Sequence, residues 1–252
     1  MGAGLVPIPA TGRTFRSIRR IRLSDRDAAG RLRLDSVARY LQDVAMDDVD
    51  ETGWGSPDHL WVMRHIRVEV VSPPVDDDRV ELATWCSGTA AVAAGRRMSL
   101  VGDRGGRVEV DSAWIHLGPD ARPVRIEEFG LYAEAAGGRV VSTRLELPIP
   151  ATDARRTSWP LRSTDIDVLG HVNNAAYWDP VEELLSTRGP DPRRPFRARL
   201  EHRHALDLDD EVELVADGRD DRLSVAFTVG TTTRAVALVE QLSAVDLSAE
   251  RA

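Results

Sequence analysis

Residues 163–183, STDIDVLGHVNNAAYWDPVEE, place carboxylates, an imidazole and two carboxamides within a few positions of one another. Asp165 and Asp167 are two apart, so on an extended strand they project to one side, with Ile166 opposite. Gly170 lets the backbone turn, and His171 follows at once. Asn174 suits a helix N-cap, because its side chain can accept from unpaired amides of the next turn. Beyond it Tyr177, Trp178, Val181, Leu184 and Leu185 recur at helical spacing and form one apolar face. A carboxylate and an imidazole would then stand near a helix N-terminus, where free amides and the helix dipole favour developing negative charge. That layout suits attack on, or polarisation of, a carbonyl. The plainer alternative is a strand-to-helix turn whose carboxylates cap amides and whose histidine is structural.

The elements that must position these groups occur twice. Asp25, Asp27 and Gly30 stand 140 residues before Asp165, Asp167 and Gly170. Each copy reads as strand, DxDxxG turn, then amphipathic helix, which implies two copies of one small domain rather than a solenoid. In the first copy Asp35 or Ser36 can cap a helix with the apolar face Val37, Tyr40, Leu41, Val44 and Val49. The copies differ in their polar equipment: His171, Asn173 and Asn174 of the second are Arg31, Arg33 and Leu34 in the first. Strands are expected at 14–23, 60–71, 79–88, 95–103 and 107–118, with a hairpin turn at 103–106. The second half repeats them at 197–206, 210–218, 222–230 and 233–245. Each half is thus a helix with four or five antiparallel strands, an α+β unit. Residues 1–13 are expected to be a flexible N-terminus and 121–157 a connection.

Composition narrows the function classes. The 252 residues are 42% hydrophobic and 29% charged, ordinary for a soluble globular protein. No stretch approaches the ~20 apolar residues of a membrane helix, and arginines interrupt the N-terminal region before a signal-peptide core. A single cysteine, Cys86, excludes an intramolecular disulfide and fits a reducing cytoplasm. In TWCSG it reads as a buried, inert strand residue. All 33 basic residues are arginine, a GC-rich coding bias that suggests a bacterial source. The net charge of −8 argues against broad nucleic-acid binding. No GxGxxG, P-loop or GxSxG motif occurs, so neither a nucleotide cofactor nor an α/β serine hydrolase is implied. His202 and His204 form an HxH pair without an evident third zinc ligand. The acidic stretches 76–78 and 207–210 read as solvated turns.

With both halves in view, the sequence resembles the hotdog-fold thioesterases, specifically acyl-ACP thioesterases of the plant fatty-acid type and their bacterial relatives. The resemblance covers roughly residues 14–245, and its most specific element, DVLGHVNN at 167–174, is similar to the plant-type DxNxHVNN. It implies a tandem double hotdog, each half a curved antiparallel sheet wrapped around one long central helix. The first hotdog would span 14–120 with a degenerate site, and the second 158–246 with the catalytic motif. Asp167 stands at the family's catalytic aspartate and His171 at its catalytic histidine. Leu169 replaces the plant-type asparagine. LEHRHAL at 200–206 resembles the plant LEYRREC, so Ala205 and Leu206 replace a glutamate and a cysteine. The broader pattern DxxGHVNN of acyl-CoA thioesterases is closer at Leu169 and Gly170.

The resulting expectation is a thioesterase that hydrolyses acyl-ACP, or acyl-CoA, to free acid and the carrier thiol. Asp167 would be base or nucleophile, His171 would orient water or stabilise charge, and Asn173 would fix the geometry. Asn174 and Glu201 would support them. No metal or organic cofactor is implied. The expected partner is an acyl carrier protein or CoA thioester, with no nucleic acid and no membrane, in a cytoplasmic monomer of two hotdogs or a homodimer. The arginines at 193–199 and 13–22 are the local basic groups an acidic carrier would need. Rival readings are a hydratase or dehydratase on β-hydroxyacyl thioesters and a non-catalytic acyl-thioester-binding module.

Overall fold

The computed structural model describes residues 4–54, 60–75, 77–151 and 154–243. Ten strands form one antiparallel sheet: β1 (Thr14–Arg20), β2 (Leu60–Ser72), β3 (Arg79–Ala90), β4 (Ala93–Gly102), β5 (Arg107–Leu117), β6 (Arg155–Trp159), β7 (Phe196–His202), β8 (Val212–Arg219), β9 (Arg222–Val229) and β10 (Thr232–Gln241). Their spatial order is β1-β3-β4-β5-β2-β7-β10-β9-β8-β6. From either edge inward this is the first, third, fourth, fifth and second strand of a half. The internal repeat is therefore a repeat of topology. The halves join where β2 pairs with β7, His65 opposite Glu201 through Val70 opposite Phe196.

The helices are α1 (Leu34–Thr52), α2 (Tyr132–Ala136) and α3 (Trp178–Leu185). The main core gathers Val37, Tyr40, Leu41 and Val44 of α1 and Trp178, Val181, Leu184 and Leu185 of α3 onto one sheet face. Period-two alternation sets that face. In β7 Phe196, Ala198 and Leu200 are buried under the helices, while Arg197, Arg199 and Glu201 belong to the other side. A smaller cluster of Leu147, Val215, Ala226, Val236 and Leu238 lies there beneath the connection. No helix among the described residues is long and apolar enough to cross a membrane.

Several expectations need correction. α1 starts at Leu34 behind an Arg33 cap residue, not at Asp35 or Ser36. Asp35 is instead buried between Arg33, at 2.7 Å, and Arg39, at 2.6 Å. α1 runs for 19 residues, but α3 runs for only 8, so no long helix occurs among the described residues of the second half. Pro180 accounts for the difference. A helix begun at Asn174 would hold Pro180 in its interior, without an N–H and against the carbonyl of Ala176. Starting at Trp178, the helix keeps that proline in its first turn. Asn174 is consequently no N-cap; Tyr177 occupies that position, with no side-chain cap. The connection contributes α2 and β6, and the last expected strand ends early, at Gln241, with 242 and 243 outside it and 244 and 245 outside the described residues.

Candidate active site

The two DxDxxG segments fold alike, with the same 3-10 turn, the same closing backbone bonds and a positive-φ glycine at the same place. Neither is an extended strand. Leu23–Asp25 and Ser163–Asp165 are single 3-10 turns, so Asp165 and Asp167 do not share a strand face as expected. Asp25 Oδ2 accepts from the Arg22 amide at 2.7 Å, and Asp165 Oδ2 from the Arg162 amide at 2.8 Å. Asp165 is buried and also receives the Arg162 guanidinium, a structural assignment. Each loop then closes by the same bonds. The amide of Asp27 donates to the Arg31 carbonyl at 2.8 Å, and that of Asp167 to the His171 carbonyl at 2.9 Å. Gly30 and Gly170 close the turns at φ 83° and 82°, a region that favours glycine.

The side chains then diverge. In the first half Asp27 Oδ1 accepts from the amides of Ala29 and Arg31, each at 2.9 Å, and Oδ2 binds the Arg31 guanidinium at 3.0 Å. Arg31 is 3% exposed and also grips Glu182 of α3, 2.5 Å from Nη2 to Oε2. Glu182 Oε1 in turn accepts from the Leu34 amide at 2.7 Å. A protein carboxylate thus fills the N-terminus of α1 and seals the loop.

In the second half Asp167 Oδ1 accepts, among the described residues, only from the Leu169 amide, at 2.8 Å. Its Oδ2 has no hydrogen-bond partner among the described residues. His171, at Arg31's place, does not meet Asp167. Its Nδ1 lies 2.7 Å from Oδ1 of Asp207, and both side chains are largely exposed. Asn173 shapes the following turn: its Oδ1 accepts from the Ala175 amide at 2.9 Å, and its own amide binds the Asp165 carbonyl at 2.8 Å. The amide of Asn174, equivalent to that of Leu34, has no partner among the described residues. A groove of about 540 Å³ sets Thr164, Asp165, Asn173 and Ala176 against Arg39, Gln42 and Asp43 of α1. Gln42 is the repeat equivalent of Glu182, so an uncharged amide faces this side.

Glu201 is not brought to these groups. It is buried on the opposite sheet face, where Oε1 accepts from the amides of Glu146, at 2.6 Å, and Leu147, at 3.0 Å. It anchors the connection. Val37, Tyr40, Leu41 and Val44, the apolar face expected of the first helix, are all packed in the core. The basic groups are largely compensated: Arg13 by Asp48, Arg16 by Glu81, Arg19 by Asp43, Arg193 by Asp191, Arg197 by Glu69 and Arg199 by Glu240. Cys86 is buried and donates to the Gly88 carbonyl, and burial pushes its thiol pKa up.

His202 and His204 do not act as a pair. His204 lies beyond the end of β7, exposed. His202 packs edge-on to Tyr177, 4.8 Å between centroids, and its Nε2 is closed off without a partner. Desolvation, with Arg64 and His65 nearby, lowers its pKa from 6.5 to about 4. Above pH 6.5 the ring is neutral in folded and unfolded chains alike. Between pH 6.5 and 4 the unfolded chain binds a proton that the folded ring excludes, so stability falls as pH falls. Urea unfolding at pH 7.5 and 4.5 should show His202→Tyr losing about 2 kcal/mol less stability than wild type across that interval. Equal losses would show that the ring takes up protons freely in the fold.

Comparison with known proteins places this geometry in a family. A model described as the acyl-ACP thioesterase N-terminal domain matches residues 12–129, and one for the C-terminal domain matches 150–240. The chain belongs to the acyl-ACP thioesterase family. An uncharacterized protein of Mycobacterium tuberculosis is 30% identical over 241 residues, 94% of this chain and 96% of that protein. Oleoyl-acyl carrier protein thioesterase 2 of Arabidopsis thaliana is 24% identical over 79% of this chain and 61% of its own length. The 12:0-ACP thioesterase of Umbellularia californica shares the fold at a TM-score of 0.74 and 18% identity, covering 91% of this chain and 94% of that one. An acyl-ACP thioesterase from Bacteroides thetaiotaomicron gives 0.73 and 17%, covering 90% and 97%. As a member of the family the chain is a thioester hydrolase, with the α+β architecture of hotdog thioesterases, a large antiparallel sheet with few helices.

In this acyl-ACP thioesterase family member, Ala205 and Leu206, expected at the plant-type glutamate and cysteine positions, are exposed and fully buried respectively. The carboxylate beside His171 comes from the next residue, Asp207. In the sequence Asp207 belongs to the acidic turn 207–210, which reads as ordinary solvated charge, and only the fold sets it against His171.

Proposed function

We propose that the chain hydrolyses fatty acyl-ACP, or acyl-CoA, to free fatty acid and the carrier thiol, with the second-half loop as its active site. One observation carries this reading: at equivalent loop positions Asp27 is sealed by Arg31, whereas Asp167 keeps an open carboxylate oxygen with an imidazole close by in the chain. Asp167 takes a proton from water as the water oxygen bonds to the thioester carbonyl carbon. The amide of Asn174 offers a donor to the developing oxyanion. In the first half a Glu182 oxygen sits 2.7 Å from the equivalent Leu34 amide, which marks that position as one an anionic oxygen can occupy. Asn173 holds the turn that presents this amide. His171 orients the water or stabilises charge. As the C–S bond breaks, the proton held on Asp167 passes to the leaving sulfur. The overall architecture behind this is two hotdog units in tandem, the first serving as scaffold.

The carrier and chain length are read by free-thiol release from acyl-ACP and acyl-CoA substrates of graded length. The expected result is turnover, with higher kcat/KM on the ACP thioesters. Binding without thiol release would favour a non-catalytic acyl-binding module. Hydration of a crotonyl thioester without hydrolysis would favour a hydratase.

A further inference from the structure

We propose that Asp207 is the positioning carboxylate of the second-half site, fixing His171 in the tautomer that bears hydrogen on Nδ1 and leaves Nε2 as the free lone pair. This rests on the assignment of His171 to the thioesterase site. The contact is short, 2.7 Å from Nδ1 to Oδ1. An exposed carboxylate–imidazole contact by itself contributes little. The surroundings of this one distinguish it. The two loops are tied by the Val172 amide to the Leu206 carbonyl at 2.8 Å. Asp207 is held in turn, its amide donating to Asp210 Oδ2 at 3.0 Å, while its carbonyl accepts from the Asp210 amide at 3.0 Å. The carboxylate is therefore presented by a closed turn rather than by a free side chain.

The internal repeat supplies an independent control. The first half ties the same loops by the Leu32 amide to the Pro74 carbonyl at 2.9 Å. Aligning Pro74 with Leu206 places Val75 opposite Asp207. The alignment continues with Asp77 and Asp78 opposite Asp209 and Asp210, and Val80-Glu81-Leu82 opposite Val212-Glu213-Leu214. Val75 indeed faces Arg31 across a backbone bridge. Within the repeated backbone frame, these two facing positions both change: Arg31 to His171 and Val75 to Asp207. At the Val75/Asp207 position the carboxylate stands in the half that carries the imidazole. In metal-free hydrolytic sites a carboxylate on one imidazole nitrogen sets the tautomer and orients the ring for the other nitrogen's work.

The test compares wild type with Asp207→Val, the first-half residue, and Asp207→Glu. Three readings are taken: steady-state acyl-thioester hydrolysis, thermal unfolding, and the nitrogen chemical shifts of labelled His171. The expected result for Asp207→Val is a kcat loss of about 10- to 100-fold with KM within about twofold, the scale of outer-shell ligand orientation. The His171 signals move away from the Nδ1–H pattern, the melting temperature is unchanged, and Asp207→Glu recovers most of the loss. In a His171→Ala background Asp207→Val has no further effect. Unchanged His171 signals and kcat in Asp207→Val, or losses that simply add to those of His171→Ala, overturn the proposal. If wild type hydrolyses no thioester, the thioesterase reading of the site fails, and the nitrogen spectrum alone decides the role of Asp207.

Discussion

Asp167→Asn is expected to lower kcat for acyl-thioester hydrolysis by about 10³-fold, the middle of the range for losing a general base. The geometry explains why the loss is chemical rather than structural. Asp167 Oδ1 accepts the Leu169 amide at 2.8 Å, a bond that the asparagine carbonyl oxygen can keep. The turn, closed by the Asp167 amide on the His171 carbonyl and by Gly170 at φ 82°, does not depend on the carboxylate's charge. What asparagine removes is the proton-accepting capacity of the open Oδ2. The check is kcat and KM alongside a thermal melt. The expected pattern is a collapse of kcat with KM and melting temperature near wild type. An equal fall in melting temperature would make Asp167 a turn residue like Asp165.

Arg31→Ala is expected to destabilise the fold by about 3–5 kcal/mol. The guanidinium is 3% exposed and lies between Asp27 Oδ2 at 3.0 Å and Glu182 Oε2 at 2.5 Å. It joins the first-half loop to a helix of the second half. Removing it leaves the part-buried Asp27 and Glu182 carboxylates without their shared cation. Glu182 keeps its bond from the Leu34 amide but loses its counter-charge. Urea unfolding with linear extrapolation gives the difference, and Glu183→Ala, exposed on the same helix, should stay within about 0.5 kcal/mol of wild type. A loss under 1 kcal/mol for Arg31→Ala would show that the pair is solvated and does not lock the first half.

The fold was largely legible because periodicity is local. Phe196, Ala198 and Leu200 alternate with Arg197, Arg199 and Glu201, and that pattern alone puts one set under the helices. The 140-residue repeat of Asp25, Asp27 and Gly30 correctly marked two loops, which share backbone bonds. Their conformation was less legible. DxD two apart suits a strand, but the Arg22 and Arg162 amides close on the aspartate side chains and make a 3-10 turn. The short α3 follows from Pro180, whose position relative to the helix start depends on where Asn173 closes the turn. Asp207 was invisible for another reason. Contact between residues 171 and 207 is made by pairing of distant segments, and no local pattern distinguishes a solvated turn aspartate from one that meets an imidazole. Glu201 misled in the opposite way: its strand parity sends it to the face under residues 146–147.

The central claim is that the second loop does the chemistry while its equivalent in the first half is scaffold. The most direct test is acyl-ACP hydrolysis by Asp27→Asn and Asp167→Asn side by side, below the melting temperature of both. The expected result is Asp27→Asn within about threefold of wild type and Asp167→Asn down about 10³-fold. Loss of turnover in Asp27→Asn with activity kept in Asp167→Asn would place the chemistry in the first half and contradict the assignment.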